Sequence, residues 1–201
     1  MKHAILGAGA IGGLLGTALA SLGEEVTVIV RPEKLAGYPK SLTLERPQGP
    51  IRASAKAAAA LTEAVDVLWI ATKTYQLQTA LEVVHTLPAC VVPLLNGVDH
   101  VEILRTRFGL DRVVPATIAV EAEKIAPGRF LQRSPVVRLN LSACGEPLLG
   151  GDHRALGRSW LHPAVHSKRA DSAMEQALFP GTFCIGDIRI RHEQGRNSRS
   201  R

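Results

Sequence analysis

Aromatic side chains are scarce in this sequence. Phe, Tyr and Trp together make up 4% of its 201 residues, and no basic segment is interleaved with them. That argues against nucleic acid as a partner, although the formal net charge is +6. The positive balance favours small anionic ligands instead. Cysteine is also sparse. Cys90, Cys144 and Cys184 are odd in number and lack C-x-x-C spacing. They argue against a disulfide framework and predict reduced thiols in a cytoplasmic protein. Long charge-free runs are almost absent. The one exception, Ala4–Gly23, follows Lys2 and contains Ala18-Leu19-Ala20, so a secretory signal and a membrane span both compete for it. Six glycines inside the run and the β-rich Val26–Val30 just after it argue against both. No membrane association is expected.

Ala, Val, Leu and Gly dominate what is present, as in a parallel α/β sheet covered by helices. The most informative stretch is residues 3–31. It reads as a short apolar strand, the turn Gly7-Ala8-Gly9-Ala10-Ile11-Gly12, a helix, a second apolar strand and then Arg31. In this G-x-G-x-x-G arrangement Gly7 permits the turn out of the strand. Gly9 lets the backbone approach a pyrophosphate, and Gly12 lets the helix pack closely on the sheet. The amides at the helix start, from Ala10 and Ile11 onward, favour an anion. The motif alone is weak, and the flanking strands make it specific for a dinucleotide. At the end of the second strand an acidic residue would suit the ribose of NAD, whereas Arg31 suits the 2′-phosphate of NADP. An ordinary solvated Arg is the competing reading, and the nearby Glu33 keeps NAD open.

The rest of the first 140 residues alternates. Ser41–Leu44 and Ile51–Ala55 read as short strands, and Val67–Ala71 as a buried parallel strand ending at Lys73. Leu77, Ala80, Leu81 and Val84 recur at helical spacing, predicting an amphipathic helix over Tyr75–His85 that Pro88 stops. Cys90–Leu95 is the next buried strand and ends at Asn96-Gly97. Val101, Leu104 and Phe108 mark a further helix, and Val113–Val120 a further strand. Arg129–Gln132 and Val136–Asn140 read as a paired antiparallel extension. The expected fold is a Rossmann-type α/β domain with a doubly wound parallel sheet. Lys73 and Asn96 then fall at the carboxyl ends of strands, where such sheets bind ligands. A solvated Lys and an ordinary Asn-Gly turn compete with that reading.

Gly7-Ala-Gly9-Ala-Ile-Gly12, Arg31, Ala71-Thr-Lys73-Thr-Tyr-Gln76, Leu95-Asn96-Gly97-Val98 and Pro127-Gly128 occur in this order. Together they resemble the N-terminal half of the ketopantoate reductases (2-dehydropantoate 2-reductases), over about residues 1–142. The resemblance implies an NADPH-dependent reduction of a 2-keto acid on the route to pantothenate. It implies that Gly7, Gly9 and Gly12 hold the pyrophosphate, that Arg31 holds the 2′-phosphate, and that Lys73 and Asn96 line the cofactor and substrate cleft. Family members continue into a helical substrate domain that opens near W-x-K-L-x-x-N, whose Lys donates a proton, and a later Glu orients the substrate. Neither is found here. Trp160 is followed by Leu-His-Pro, and Lys168 has the wrong neighbours. The catalytic residues are therefore left unassigned.

From about Cys144 the sequence changes character. Residues 143–201 are expected to be an atypical tail, frame-shifted, truncated or disordered, with the complete helical domain lacking. Only Ala170–Leu178 reads as a helix there, and Ile185, Ile188 and Ile190 fit a short strand imperfectly. His162 and His166 stand at i and i+4, but Pro163 lies between them and the usual Glu is missing, so no metal is expected. Two functions stay open. One is an NADP-dependent oxidoreductase impaired by the missing domain, with a 2-keto acid as small-molecule partner and self-association through uncovered apolar surface. The other is a nucleotide-binding module without turnover. A third, less favoured, is a different Rossmann dehydrogenase that uses Lys73 as its acid.

Overall fold

A computed structural model of the protein describes residues 1–142, together with the backbone of two short strands at 162–164 and 184–189. At its centre is a five-stranded sheet. Strand β1 (Lys2–Leu6) lies between β2 (Glu25–Ile29) and β6 (Val67–Ile70). The edges are β5 (Lys56–Ala58), beside β2, and β7 (Cys90–Pro93), beside β6. Every neighbouring pair is parallel. These strands are nearly continuous in apolar residues because both of their faces are covered. On one face Ile5, Val26, Val28, Trp69 and Val92 meet the helix α1 (Ala10–Ser21). On the other, Ala4, Leu6, Leu68, Ile70 and Val91 meet the helices α3 (Leu77–Leu81) and α4 (Asp99–Phe108). The expected doubly wound fold is therefore the observed one.

The charge-free run Ala4–Gly23 now has a physical cause. Helix α1 is sandwiched between the parallel sheet and a second sheet of order β4-β3-β10-β9, built from β3 (Ser41–Glu45), β4 (Ile51–Ser54), β9 (Ala122–Ala126) and β10 (Arg129–Gln132). All eight residues from Gly12 to Leu19 are buried. A helix buried on both faces has no polar side to expose. Glycines make the sandwich close. A Cβ on Gly16 would sit 3.3 Å from Ile5 of β1, and one on Gly13 would collide with the ring of Phe130 in β10. Among the described residues, no helix is long and apolar enough to cross a membrane.

Three sequence expectations are corrected. The helix expected over Tyr75–His85 is a 3₁₀ turn at Thr74–Gln76 followed by five residues of α3. It ends before Pro88 acts, because the backbone of Val83 and His85 bonds to Leu61 instead: Leu61 N donates to Val83 O, and His85 N donates to Leu61 O. The strand expected over Val113–Val120 belongs mainly to a third sheet. Val114 N still bonds to Val91 O of β7. Pro115, lacking an N–H, cannot continue that ladder. Beyond it β8 (Ala116–Ala119) pairs with β11 (Arg138–Ser142). Finally, β10 and β11 do not pair with each other. Both edges of β10 are taken, one by β3 and one by β9 through the hairpin at Pro127-Gly128. Strand β11 lies instead between β8 and β13 (Cys184–Arg189), and β13 also pairs with β12 (His162–Ala164). The expected helix at 170–178, Trp160, His166 and Lys168 lie outside the described residues.

One buried polar pair gives the core a pH dependence. His3 of β1 is 4% exposed, and its Nδ1 accepts a hydrogen bond from Trp69 Nε1 at 3.1 Å. An indole N–H only donates, so Nδ1 is unprotonated and the neutral ring carries its proton on Nε2, 3.6 Å from Glu24 Oε2. Burial holds His3 below its ordinary value of 6.5, against the opposing pull of Glu24 and of Asp66, while the N-terminal ammonium adds to the lowering. The folded state thus disfavours the charged ring. This contribution to stability is fully present above pH about 6.5 and declines as the pH falls through the lower folded value. Urea midpoints followed by circular dichroism at pH 7.5 and 5.5 are expected to fall more for the native protein than for His3→Gln. Equal falls would show that His3 does not titrate between the two states.

Candidate functional site

In the parallel sheet, the chain leaves β1 toward β2 and β5 and then crosses back to β6 on the other side of β1. Strand order therefore reverses between β1 and β6, and it is at the carboxyl ends of strands at such a reversal that open α/β sheets bind ligands. The sequence places its glycine turn there. Gly7 ends β1 with φ +110°, a conformation other residues rarely adopt. A Cβ at this position would lie 2.8–2.9 Å from the backbone of Ala71 and Thr72, which follow β6. Gly7 is thus required twice, by its dihedral and by the close approach of the two strand ends.

Gly9 is different. Its backbone is extended, with φ −82° and ψ −163°, so any residue could adopt it. A Cβ there would meet nothing within 4 Å. Neither conformation nor packing in the protein calls for glycine, and the space above it is open. Gly9 caps the N-terminus of α1, whose first residues, Ala10 and Ile11, are half-buried. The amides of a first helical turn have no partner within the helix. No acidic side chain occupies that turn. Gly12 is required by packing, since its Cβ would run into the Gly7 carbonyl oxygen and come within 2.9 Å of Ile5 Cγ2.

The other expected residues lie on the loops that follow neighbouring strands of the same sheet. Arg31 is exposed just after β2 and caps the short helix α2 (Pro32–Leu35). Lys73 is exposed and opens the 3₁₀ turn after β6. Asn96 is exposed two residues beyond β7's neighbour Leu94. Thr74 Oγ1 donates to Asn96 O at 3.3 Å, which ties the loops after β6 and β7 together. Thr72 Oγ1, beside Gly7, is buried with no hydrogen-bond partner among the described residues.

Sequence reasoning missed Lys124. It sits on β9, in the second sheet, and its Nζ donates to the carbonyl oxygen of Ala8 at 2.7 Å. Partial desolvation, and then the proximity of Lys34, hold its ammonium below the ordinary lysine value. Nothing in the local pattern Ala122-Glu-Lys-Ile-Ala126 links it to a turn 116 residues away. Among the described residues, no group of three His, Cys, Asp or Glu side chains could hold a metal ion. His162 lies in strand β12, not on a helix, and His166 is outside the described residues.

The family model described as ketopantoate reductase PanE/ApbA matches residues 3–143. The chain is 36% identical over 136 residues to a 2-dehydropantoate 2-reductase of Caulobacter vibrioides, covering 65% of this chain and 45% of that protein. Among solved structures it resembles a 2-dehydropantoate 2-reductase of Porphyromonas gingivalis W83, with a TM-score of 0.59 and 25% identity over 67% of this chain and 52% of that one. It also resembles a PanE/ApbA family ketopantoate reductase of Ralstonia eutropha JMP134, with a TM-score of 0.57 and 28% identity over 66% and 46%. The chain spans about half the length of the curated relatives it matches.

Proposed function

The chain belongs to the ketopantoate reductase PanE/ApbA family, and from that we propose that residues 1–142 form the NADPH-binding half of a reductase that converts a 2-keto acid to a 2-hydroxy acid. The observation that carries the reading is the open space above Gly9, at the strand-order reversal, next to a helix start free of acidic side chains. A nicotinamide dinucleotide would suit it. The diphosphate suits the amides of the first turn of α1, where a side chain on residue 9 would intrude. Arg31 suits the 2′-phosphate, because a guanidinium makes forked, charge-assisted bonds to phosphate oxygens. Lys73 and Asn96, on loops joined through Thr74, suit the substrate side of the site. When bound, a reduced nicotinamide would supply a hydride for the keto carbon of a substrate held on that side. Ketopantoate is the proposed substrate, and the cytoplasm the proposed location.

A second reading, a nucleotide-binding module without turnover, rests on the exposure of Lys73 and Asn96. The described residues leave their side of the site open to water. Steady-state NADPH oxidation with ketopantoate separates the two readings.

Cofactor choice is tested by calorimetric titration of the native protein and Arg31→Ala with NADPH and with NADH. The native protein is expected to prefer NADPH. The substitution is expected to remove most of that preference, about 1.5–3 kcal/mol for a hydrogen bond to a charged group. Equal affinities in the native protein would overturn the NADP assignment.

A further inference from the structure

The contact between Lys124 and Ala8 joins two parts of the fold that need no such link for packing. Helix α1 already holds the second sheet to the first through Gly13 and Phe130. The contact is also unusual for a lysine on a sheet. Among the described residues Lys124 forms no ion pair with a carboxylate. The adjacent Glu123 is engaged by Arg133 at 2.5 Å. The ammonium rests instead on a neutral carbonyl, which leaves its charge uncompensated. The nearby Lys34, on α2, adds a second positive charge. The charge of Lys34 is felt at Lys124, which has no carboxylate partner among the described residues, so an anion beside the turn is favoured there.

The carbonyl has a geometric consequence as well. In a trans peptide the C=O of one residue and the N–H of the next point in opposite directions. Because Lys124 Nζ holds Ala8 O, the Gly9 N–H is turned away from Lys124, and the orientation of the Ala8–Gly9 peptide is set before any ligand binds. A preoriented donor costs less to order on binding.

We infer that Lys124 is a positioning residue for the diphosphate: it pins the Ala8–Gly9 peptide and supplies the positive charge at the rim of the glycine turn. The inference rests on the nucleotide reading given above, and it assigns Lys124 a role different from that of Arg31. The diphosphate is common to NADPH and NADH, and the 2′-phosphate is not. Loss of Lys124 must therefore weaken both dinucleotides alike, whereas loss of Arg31 weakens NADPH selectively.

The test is calorimetric titration of the native protein, Lys124→Met, Lys124→Arg and Arg31→Ala with NADPH and with NADH, with thermal melting to confirm folding. Lys124→Met keeps the aliphatic stem and removes donor and charge. By freeing the Ala8–Gly9 peptide and removing the charge beside it, it is expected to weaken both dinucleotides by about tenfold, roughly 1.4 kcal/mol, while leaving their ratio unchanged. Lys124→Arg keeps the charge and is expected to restore most of the affinity; if Lys124→Met does not fold, Lys124→Gln, which also removes the charge, carries the test and is expected to weaken both dinucleotides alike. Native protein that binds neither dinucleotide overturns the nucleotide reading and this inference with it. Native binding that Lys124→Met fully retains overturns the inference alone. So does a loss confined to NADPH, which would place Lys124 at the 2′-phosphate.

Discussion

Gly9→Val is expected to abolish dinucleotide binding in a protein that remains folded. Position 9 has an extended backbone that valine adopts readily, and its Cβ would touch no protein atom within 4 Å. The cost to folding is confined to a poorer helix N-cap, about 1 kcal/mol. The whole side chain projects into the space above the turn, where the diphosphate is proposed to lie. Affinity for NADPH should fall by about 100-fold or more, roughly 2.8 kcal/mol. Calorimetric titration beside a thermal melt would check both halves. Binding retained by a folded Gly9→Val protein would mean that Gly7–Gly12 is a strand–helix turn and nothing more.

Gly12→Val should fail in the opposite way, by destabilising the fold. Its Cβ would run into the Gly7 carbonyl oxygen and would lie 2.9 Å from Ile5 Cγ2 and 3.2 Å from Ala71 Cβ. The first neighbour is backbone and cannot rotate away. Relief requires α1 to lift from β1, and α1 is also pressed on its far side by Phe130. Overpacking of a core typically costs about 1–3 kcal/mol, occasionally more. With backbone as the obstacle on one side and a ring on the other, a loss of about 3 kcal/mol or more is expected. That is a large part of the roughly 5–15 kcal/mol that holds a domain folded. Urea denaturation would measure it. A Gly12→Val protein as stable as the native one would show that the helix does not seat on β1 at this point. Two glycines three residues apart in one motif therefore report on different things: position 9 on the ligand, and position 12 on the fold.

Much of the fold of residues 1–142 was legible in the sequence. The strand–turn–helix–strand unit over residues 3–31 follows from local rules, because glycine placement and apolar periodicity act within a few residues of each other. Strands β3, β4, β6 and β7 and helix α4 were legible for the same reason, and so was the position of Lys73 and Asn96 at strand ends. The uncharged Ala4–Gly23 run was legible only in part. Its glycines spoke against a membrane, but nothing local showed that α1 is covered by a second sheet. Strand β5 left no signal, since Lys56-Ala-Ala58 has neither the alternation nor the β-branched residues of a strand and forms because β2 offers it an edge.

What local sequence determined about this protein is which segments become strands and helices and where the glycine turn sits, since sterics and periodicity are set by near neighbours. The tertiary structure alone decided which edges pair. Strand β10 was claimed by β3 and β9, which left β11 to β8 and β13. Val83 and His85 were drawn from a helix to Leu61. Lys124 was carried across the fold to Ala8. Each of these is a competition for a limited number of backbone donors and acceptors among segments far apart in the chain. Its outcome depends on which partner reaches the free edge or carbonyl in the assembled core, and the residues around any one of those segments do not encode it.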